Sequence, residues 1–549
     1  LLPDFNEPTR QGLAFNFLKS LVMKHCMIPE LYDIVDSISI TMVANHSKEI
    51  RDVSRSVYYQ FLVEYDHSNS LLEKKFKFLI NNLQYPSPDG RLSVLELVQM
   101  IIKKSSPELM LKLSSSLFVA LANVACNDDN VHCKEVAFDL LGKLLKRLTS
   151  ENTATIENYI LTWMKQSNNE LFTNLGLRMY KVFVLNVGFN INKELDELAL
   201  SLMKKIMIES KKQYDKLEDF EDDEEVSWQL LYTVMNLMIS MLTESDGKIE
   251  ITSLYDEDFA YIWRECIPTM ILYPHPWIRL YASKLSMIAI EHSETLDLTN
   301  YSIQTISFKL FRQLSAPYIS EELAQTSLKL LVKIIMKWNK TNQLYIQPDD
   351  VSEEEKSKSL KNVEENEGHE GQDLSTTTTK FKTWLDFVIS KATYMLRNEN
   401  LTAKESHVGK RTMIQLLALI SQILSAEQLN ENEDIVPKII MPLYVIMEKD
   451  GYHLHEDEDL KNLEEIQSAA KECMQILEDK LGVNEYSVYY AKVNKTIVER
   501  RQERKAKRSR LEITNPQLAS TKKLKKHKKS NENRKLVKNS SGYYSRNRS

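Results

Sequence analysis

The chain has 549 residues, 43% of them hydrophobic, yet only 12 Gly and 14 Pro. A sheet protein of this size needs many tight turns built on those two residues, and average usage is about 7% and 5%, so a large β fold is excluded. The formal net charge of −6 hides an asymmetry: residues 495–549 carry 19 Lys and Arg against 4 Asp and Glu, a net of +15, and the rest is net −21. Such a basic terminus on an acidic body points to a polyanion or a receptor as partner.

From residue 11 the pattern is helix after helix, and the helices recur with a period. "HSKEIRDVSRSVYYQFL" sets Arg51 at the start of an apolar helix, and "SPDGRLSVLELVQMI" sets Arg91 there 40 residues later. "DDNVHCKEVAFDLLGKLL" follows with His132 in the equivalent place, and "NNELFTNLGLRMYKVF" and "HPWIRLYASKLSMIAI", with Arg279, repeat the design. Leu140, Leu141, Leu144, Leu145 and Leu148 share one face of the helix over 130–148. Ile278, Tyr281, Leu285 and Ile288 do so over 275–292, and Leu328, Leu331, Ile335 and Trp338 over 320–339. Steps of three and four mark one stripe of a 3.6-residue helix. A repeat of about 40 residues, with an Asp/Asn-rich turn leading into an apolar helix, predicts an all-α, HEAT/armadillo-like α-solenoid of antiparallel helix pairs.

Residues 1–216 and 227–346 therefore form repeats, separated by an acidic corner at 217–226. Residues 347–379 hold almost no large apolar side chains and are expected to be a disordered acidic insert. Helical repeats resume over 380–483. The last segment, 484–549, begins as a helix with Tyr486, Tyr490, Val493 and Ile497 on one stripe, loses its apolar face in "ERRQERKAKRSR", and is expected to break at Asn515-Pro516 and end as an unstructured basic tail.

The grammar of catalysis and of metal binding is missing from this sequence. There is no Gly-rich phosphate loop, GxSxG or HExxH. Cys126, His132 and Cys133 lack a second ligand pair at zinc spacing, and "HLHEDED" (453–459) reads as a solvated corner, so no metal, cofactor, small-molecule substrate or enzymatic activity is expected. The five cysteines are irregularly spaced, which argues for a reducing compartment. No apolar run approaches the roughly 18 residues of a spanning helix, so no membrane partner is expected. The candidate site is the basic terminus. Arg500, Arg501, Arg504, Lys505, Lys507, Arg508 and Arg510 form one block, and Lys522, Lys523, Lys525, Lys526, Lys528 and Lys529 a second. Such blocks neutralise phosphates, and they equally fit a bipartite signal read by an import receptor. No aromatic residue interleaves them, so backbone contact is expected rather than base stacking.

The segments "QGLAFNFLKSLVMKHCMIPELYDIVDSISITMVANHSKEIRDVSRSVYYQFLVEYDHS" and "LEKKFKFLINNLQYPSPDGRLSVLELVQMII" resemble the DRIM ("down-regulated in metastasis") family. The resemblance rests on Pro29-Glu30-Leu31-Tyr32, Ile50-Arg51, Asn82-Leu83 with Tyr85, and Gly90-Arg91 with Ser93-Val94. "RRQERKAKRSRLEITNPQLASTKKLKKHKK" is similar to that family's carboxy terminus. It implies the carboxy-terminal part of a very large HEAT-repeat protein, which agrees with a chain whose first residue is Leu1. It further implies a nucleolar scaffold of the small-subunit processome, with precursor ribosomal RNA, small nucleolar RNP and other processome proteins as partners. A HEAT-repeat nuclear transport receptor or a signalling scaffold, its tail only a nuclear localisation signal, stays open as the alternative.

Overall fold

The computed structural model describes residues 8–528, apart from 27, 66, 167–168, 218–227, 246–248, 342–343, 345–382, 397–405, 432–433, 450–456, 519, 522 and 526–527. The insert expected at 347–379, the acidic corner beyond Leu217 and most of the 453–459 corner lie outside the described residues. Among the described residues there is no strand. Two compact units divide the chain, Leu1–Ser302 and Ile303–Ser549.

The first unit runs through α1 (Pro8–Met23), α2 (Pro29–Ala44), α3 (Lys48–Glu64), α4 (Asn69–Asn82), α5 (Pro88–Lys104), α6 (Pro107–Asn127) and α7 (Val131–Leu145). It continues with α8 (Ser150–Lys165), α9 (Glu170–Asn186), α10 (Lys193–Leu217), α11 (Gln229–Thr243), α12 (Glu257–Tyr261), α13 (Ile267–Met270) and α14 (Pro276–Glu291). Neighbours in sequence pair, as α2 with α3, α6 with α7 and α8 with α9. Alternate helices also touch, α3 on α5, α5 on α7, α7 on α9, α9 on α11 and α11 on α14. Helices paired in sequence and stacked in rows, α3 to α11 on one side and α6, α8 and α10 on the other, make this unit HEAT/armadillo-like.

The corners account for the starts of the helices. Pro29, Pro88, Pro107 and Pro276 stand in the first turn, where a missing N–H costs nothing. Ser47, Ser106 and Asn130 accept hydrogen bonds from the amides of Ile50, Leu109 and Cys133. Gly90 has a different duty. A Cβ there would lie 2.5 Å from the Tyr85 ring and 2.7 Å from the Val43 carbonyl oxygen, so α5 approaches the end of α2 through a missing side chain. Gly90→Ala should destabilise the first unit by about 1–3 kcal/mol through overpacking, measured by urea denaturation; an unchanged midpoint would show that the corner yields freely.

Two of the recurring arginines, Arg51 and Arg91, clamp their corners. Arg51 donates through Nη1 to the carbonyls of Asn45 and His46, both at 2.9 Å, and its Nη2 lies 3.2 Å from Asp89 at the start of α5. Arg91 repeats the arrangement one pair later, donating to Tyr85 at 2.8 Å and Pro86 at 3.1 Å while Nη2 donates to Asp128 at 2.9 Å and to Asp129. Burial opposes the Arg91 charge, but the bond and field of Asp128, with Asp129, outweigh it and raise its pKa. His132 does not hold the equivalent place. Counted from the capping residues Ser47, Ser87 and Asn130, the partner of Arg51 and Arg91 is Lys134. His132 is exposed and faces Glu135 at 3.7 Å.

One further expectation is corrected. Helix α6, with 21 residues, is long and apolar enough by length and composition to cross a membrane. Here Leu113, Leu117, Phe118, Leu121 and Ala125 are buried within the repeats, where α6 packs on α7 and α8. Its apolar run, interrupted by polar Ser114–Ser116, serves a core buried on one broad side.

The second unit holds α15 (Asn300–Leu314, from Ile303 on), α16 (Glu321–Lys340), α17 (Trp384–Leu396) and α18 (His407–Ile423). Then come α19 (Ala426–Glu431), α20 (Ile435–Met447), α21 (Asp457–Leu481) and α22 (Val483–Thr514). It is stacked in the same way: α16 on α18, α18 on α21, α17 on α20 and α20 on α22. Aromatic edges fill its core, with the rings of Trp338 and Trp384 4.5 Å apart and those of Phe308 and Phe387 4.4 Å apart.

Candidate nucleic-acid interface

The basic terminus is carried by α22, a single helix of 32 residues. Gly482, at φ +81°, turns the chain from α21 into α22 in a conformation open to glycine. The first half of α22 is anchored. Val493 and Ile497 are buried, Tyr490 packs edge-on to Tyr444 of α20 at 5.5 Å, and the Tyr489 hydroxyl donates to Asn430 at 3.2 Å. Burial, with Glu478 and Tyr490 nearby, pushes the Tyr486 hydroxyl up to about 12, so it stays neutral against the repeats.

The first two cations still touch the body. Arg500 Nη1 lies 3.2 Å from the Met441 sulfur, and Arg501 bonds Glu448 at 2.7 Å. The Tyr444 hydroxyl, and then Arg501, hold the Glu448 carboxyl below the usual range. From Arg504 onward the cations of the first block, Arg504, Lys505, Lys507, Arg508 and Arg510, are exposed on continuous helix. Their spacing continues the anchor. Tyr490, Val493 and Ile497 advance by three and four residues, and Arg501, Arg504 and Arg508 extend the same line. At 3.6 residues per turn, Arg500, Arg501, Arg504, Lys505, Lys507 and Arg508 fall within an arc of roughly 160°, with Glu499, Glu503 and Arg510 opposite. One stripe is apolar where it meets the repeats and cationic beyond them.

The helix ends where Asn515-Pro516 predicts, at Thr514. Past it the sequence suggests an unstructured tail, but the described residues from Pro516 to Lys528 are helical. Pro516 starts this segment, and the Asn515 side chain accepts from the Leu518 amide at 3.1 Å, so the break is also a cap. Lys523, Lys525 and Lys528 are exposed there. Lys522, Lys526 and Lys529 lie outside the described residues.

Beyond the basic terminus, the sequence named no cation as a candidate site residue. In the first unit, Lys143 and Lys146 of α7 and Arg178 and Lys181 of α9 line one groove with Trp228, Tyr232 and Trp277. The signal lay in polar positions of successive helices, which only the stacking of α7, α9, α11 and α14 brings together. Of Cys126, His132 and Cys133, only Cys133 is buried, and burial raises the pKa of its thiol, while His132 is exposed.

Comparison with known proteins places this architecture. A family described as "Small subunit processome component 20 homolog, C-terminal" matches residues 454–539, which include α22 and both basic blocks. The chain is 42% identical over 548 residues to the U3 small nucleolar RNA-associated protein 20 of Saccharomyces cerevisiae, covering 100% of this chain and 20% of that protein. It is 25% identical over 532 residues to the protein of the same name from Schizosaccharomyces pombe, covering 94% of this chain and 19% of that one. The chain thus spans about a fifth of the length of these curated relatives. The karyopherin Kap121p bound to the SUMO protease Ulp1p aligns over 90% of this chain and 46% of its own at a TM-score of 0.37 and 11% identity, a likeness that carries no argument. Identity sustained along the whole chain, and a family match over its basic end, show that the chain belongs to the DRIM family and matches its carboxy-terminal part.

Proposed function

We propose that this chain is a non-catalytic scaffold segment of the small-subunit processome, acting in the nucleolus in ribosomal RNA processing. Its helix stacks hold other processome proteins, and its basic helix contacts precursor ribosomal RNA, a small nucleolar RNP or an acidic protein groove. The observation that carries the reading is 42% identity along the full chain to a protein named for its association with the U3 small nucleolar RNA. The exposed cationic stripe of α22 supplies the physical means, since lysine and arginine displace the counterions condensed on a phosphate backbone. The second reading, an import signal only, is favoured by the two blocks separated at Asn515-Pro516.

Depletion of the parent protein, rescued with forms bearing or lacking the basic blocks, tests the proposal. The expected result is loss of mature small-subunit ribosomal RNA with the large-subunit RNA comparatively intact. Rescue by the block-less form fused to an unrelated import signal would leave the blocks an address only. Equal loss of both RNAs would overturn the processome role.

A further inference from the structure

The groove on the first unit has a volume of about 700 Å³, within the range of binding sites for small ligands or short polymer segments. Its two sides differ chemically. On α7 and α9 stand Lys143, Lys146, Arg178 and Lys181, with Asp139 the one carboxylate in the lining. Lys143 reaches Asp139 at 2.5 Å, Lys181 donates to the Asn236 amide oxygen at 3.1 Å, and the Arg178 guanidinium lies 5.3 Å from the centre of the Phe138 ring. Asp139 offsets Lys143, while the neutral Asn236 and Phe138 leave the charges of Lys181 and Arg178 uncancelled. Burial, offset by Glu244 and reinforced by Arg178, lowers the Lys181 pKa, so a bound anion would be welcome beside it.

On α11 and α14 the wall is aromatic. Trp228 stacks on His275 with ring centres 3.7 Å apart, and Tyr232 lies 5.5 Å from Trp277 and 4.8 Å from Tyr281. Trp277 remains 52% exposed although it borders a cluster that could have covered it. An indole left half open beside four cations is suited to a ligand with flat π faces and a negative backbone. Charge alone would not select that ligand. A short anion such as free phosphate would gain nothing from the aromatic wall, whereas a ligand that also carries flat rings would gain from Trp277. A base pair hides its faces in the duplex, whereas an unpaired base offers them.

We propose that this groove binds a short single-stranded stretch of RNA, with bases on Trp277 and phosphates along Lys143, Lys146 and Lys181. The site is distinct from the basic terminus and stands whether or not α22 touches RNA. It adds to the repeat body a contact that favours unpaired over paired strands.

The test uses the full chain with both basic blocks changed to Gln, so that α22 cannot supply the signal. Titration with a ten-residue oligouridylate, followed by indole fluorescence and by anisotropy of a labelled strand, should show saturable binding. Trp277→Ala should weaken it about 5- to 150-fold, the range for losing one stacked base. Lys143→Gln with Lys146→Gln should shrink the magnitude of the log affinity–log salt slope by about one to one and a half, as expected for two lost single-strand contacts. All three side chains are exposed, and circular dichroism checks that the repeats stay folded. A duplex of the same length should bind much more weakly. Equal binding of duplex, equal competition by polyglutamate, or an affinity indifferent to Trp277 would each overturn the proposal, the second in favour of an acidic peptide.

Discussion

Arg91→Ala should cost the first unit about 3–5 kcal/mol, because it removes one partner of a buried ion pair and strands the other. The side chains of Arg91 and Asp128 are 7% and 4% exposed, and Asp128 takes both a 2.9 Å bond from Nη2 and a 2.9 Å approach from Nε. The same guanidinium also satisfies the carbonyls of Tyr85 and Pro86, so the substitution opens the corner before α5 along with its link to the corner before α7. Urea denaturation followed by far-ultraviolet circular dichroism measures the loss. Asp129 gives the control: it bonds the same arginine but is 83% exposed, and Asp129→Asn should cost under about 1 kcal/mol. Similar costs for the two would mean that the clamp acts through packing alone.

Changing Arg504, Lys505, Lys507, Arg508, Arg510 and the six lysines of Lys522–Lys529 to Gln should nearly abolish sequence-independent RNA binding at α22. If six to ten of the block charges meet phosphates, log affinity falls with log salt at a slope of roughly −4 to −9. The intact chain should then lose roughly 250-fold to 10⁵-fold in affinity between 50 and 200 mM salt. The substituted chain should show a much shallower slope, and unrelated RNA sequences should be affected by similar factors. Salt-series anisotropy with purified protein reads both. An unchanged slope would refute direct phosphate contact by the blocks and leave the import reading; the changed residues that the structure describes are exposed, and circular dichroism checks that the repeats stay folded.

How much of this the sequence disclosed depended on whether the information was local. Helix starts were legible, since Pro88 or Ser47 acts within one turn of itself. The clamp was half legible: Arg51 and Arg91 stood out by spacing, but their partners Asp89 and Asp128 lie about 37 residues on. His132 shows how an apolar alignment slips two residues when the cap, Asn130, is not used as the anchor. The groove was not legible at all. Lys143, Arg178 and Trp277 come from three helices, and each reads alone as an ordinary solvated or half-covered residue. The stripe of α22 could be read to Ile497, and counting on by threes and fours would have carried it to Arg508.

That continuous stripe has a mechanical consequence. Because α22 is held at Val493 and Ile497 and stays helical to Thr514, the seventeen residues past Ile497 form a rod about 26 Å long at 1.5 Å per residue. A flexible tether of the same length would let its charges roam and would dilute them over a wide volume. The rod instead acts as a spacer of fixed reach and fixed azimuth. Whatever grips its tip is set at a defined distance and heading from the end of the repeats, and the helix break at Asn515 marks where that straight reach ends.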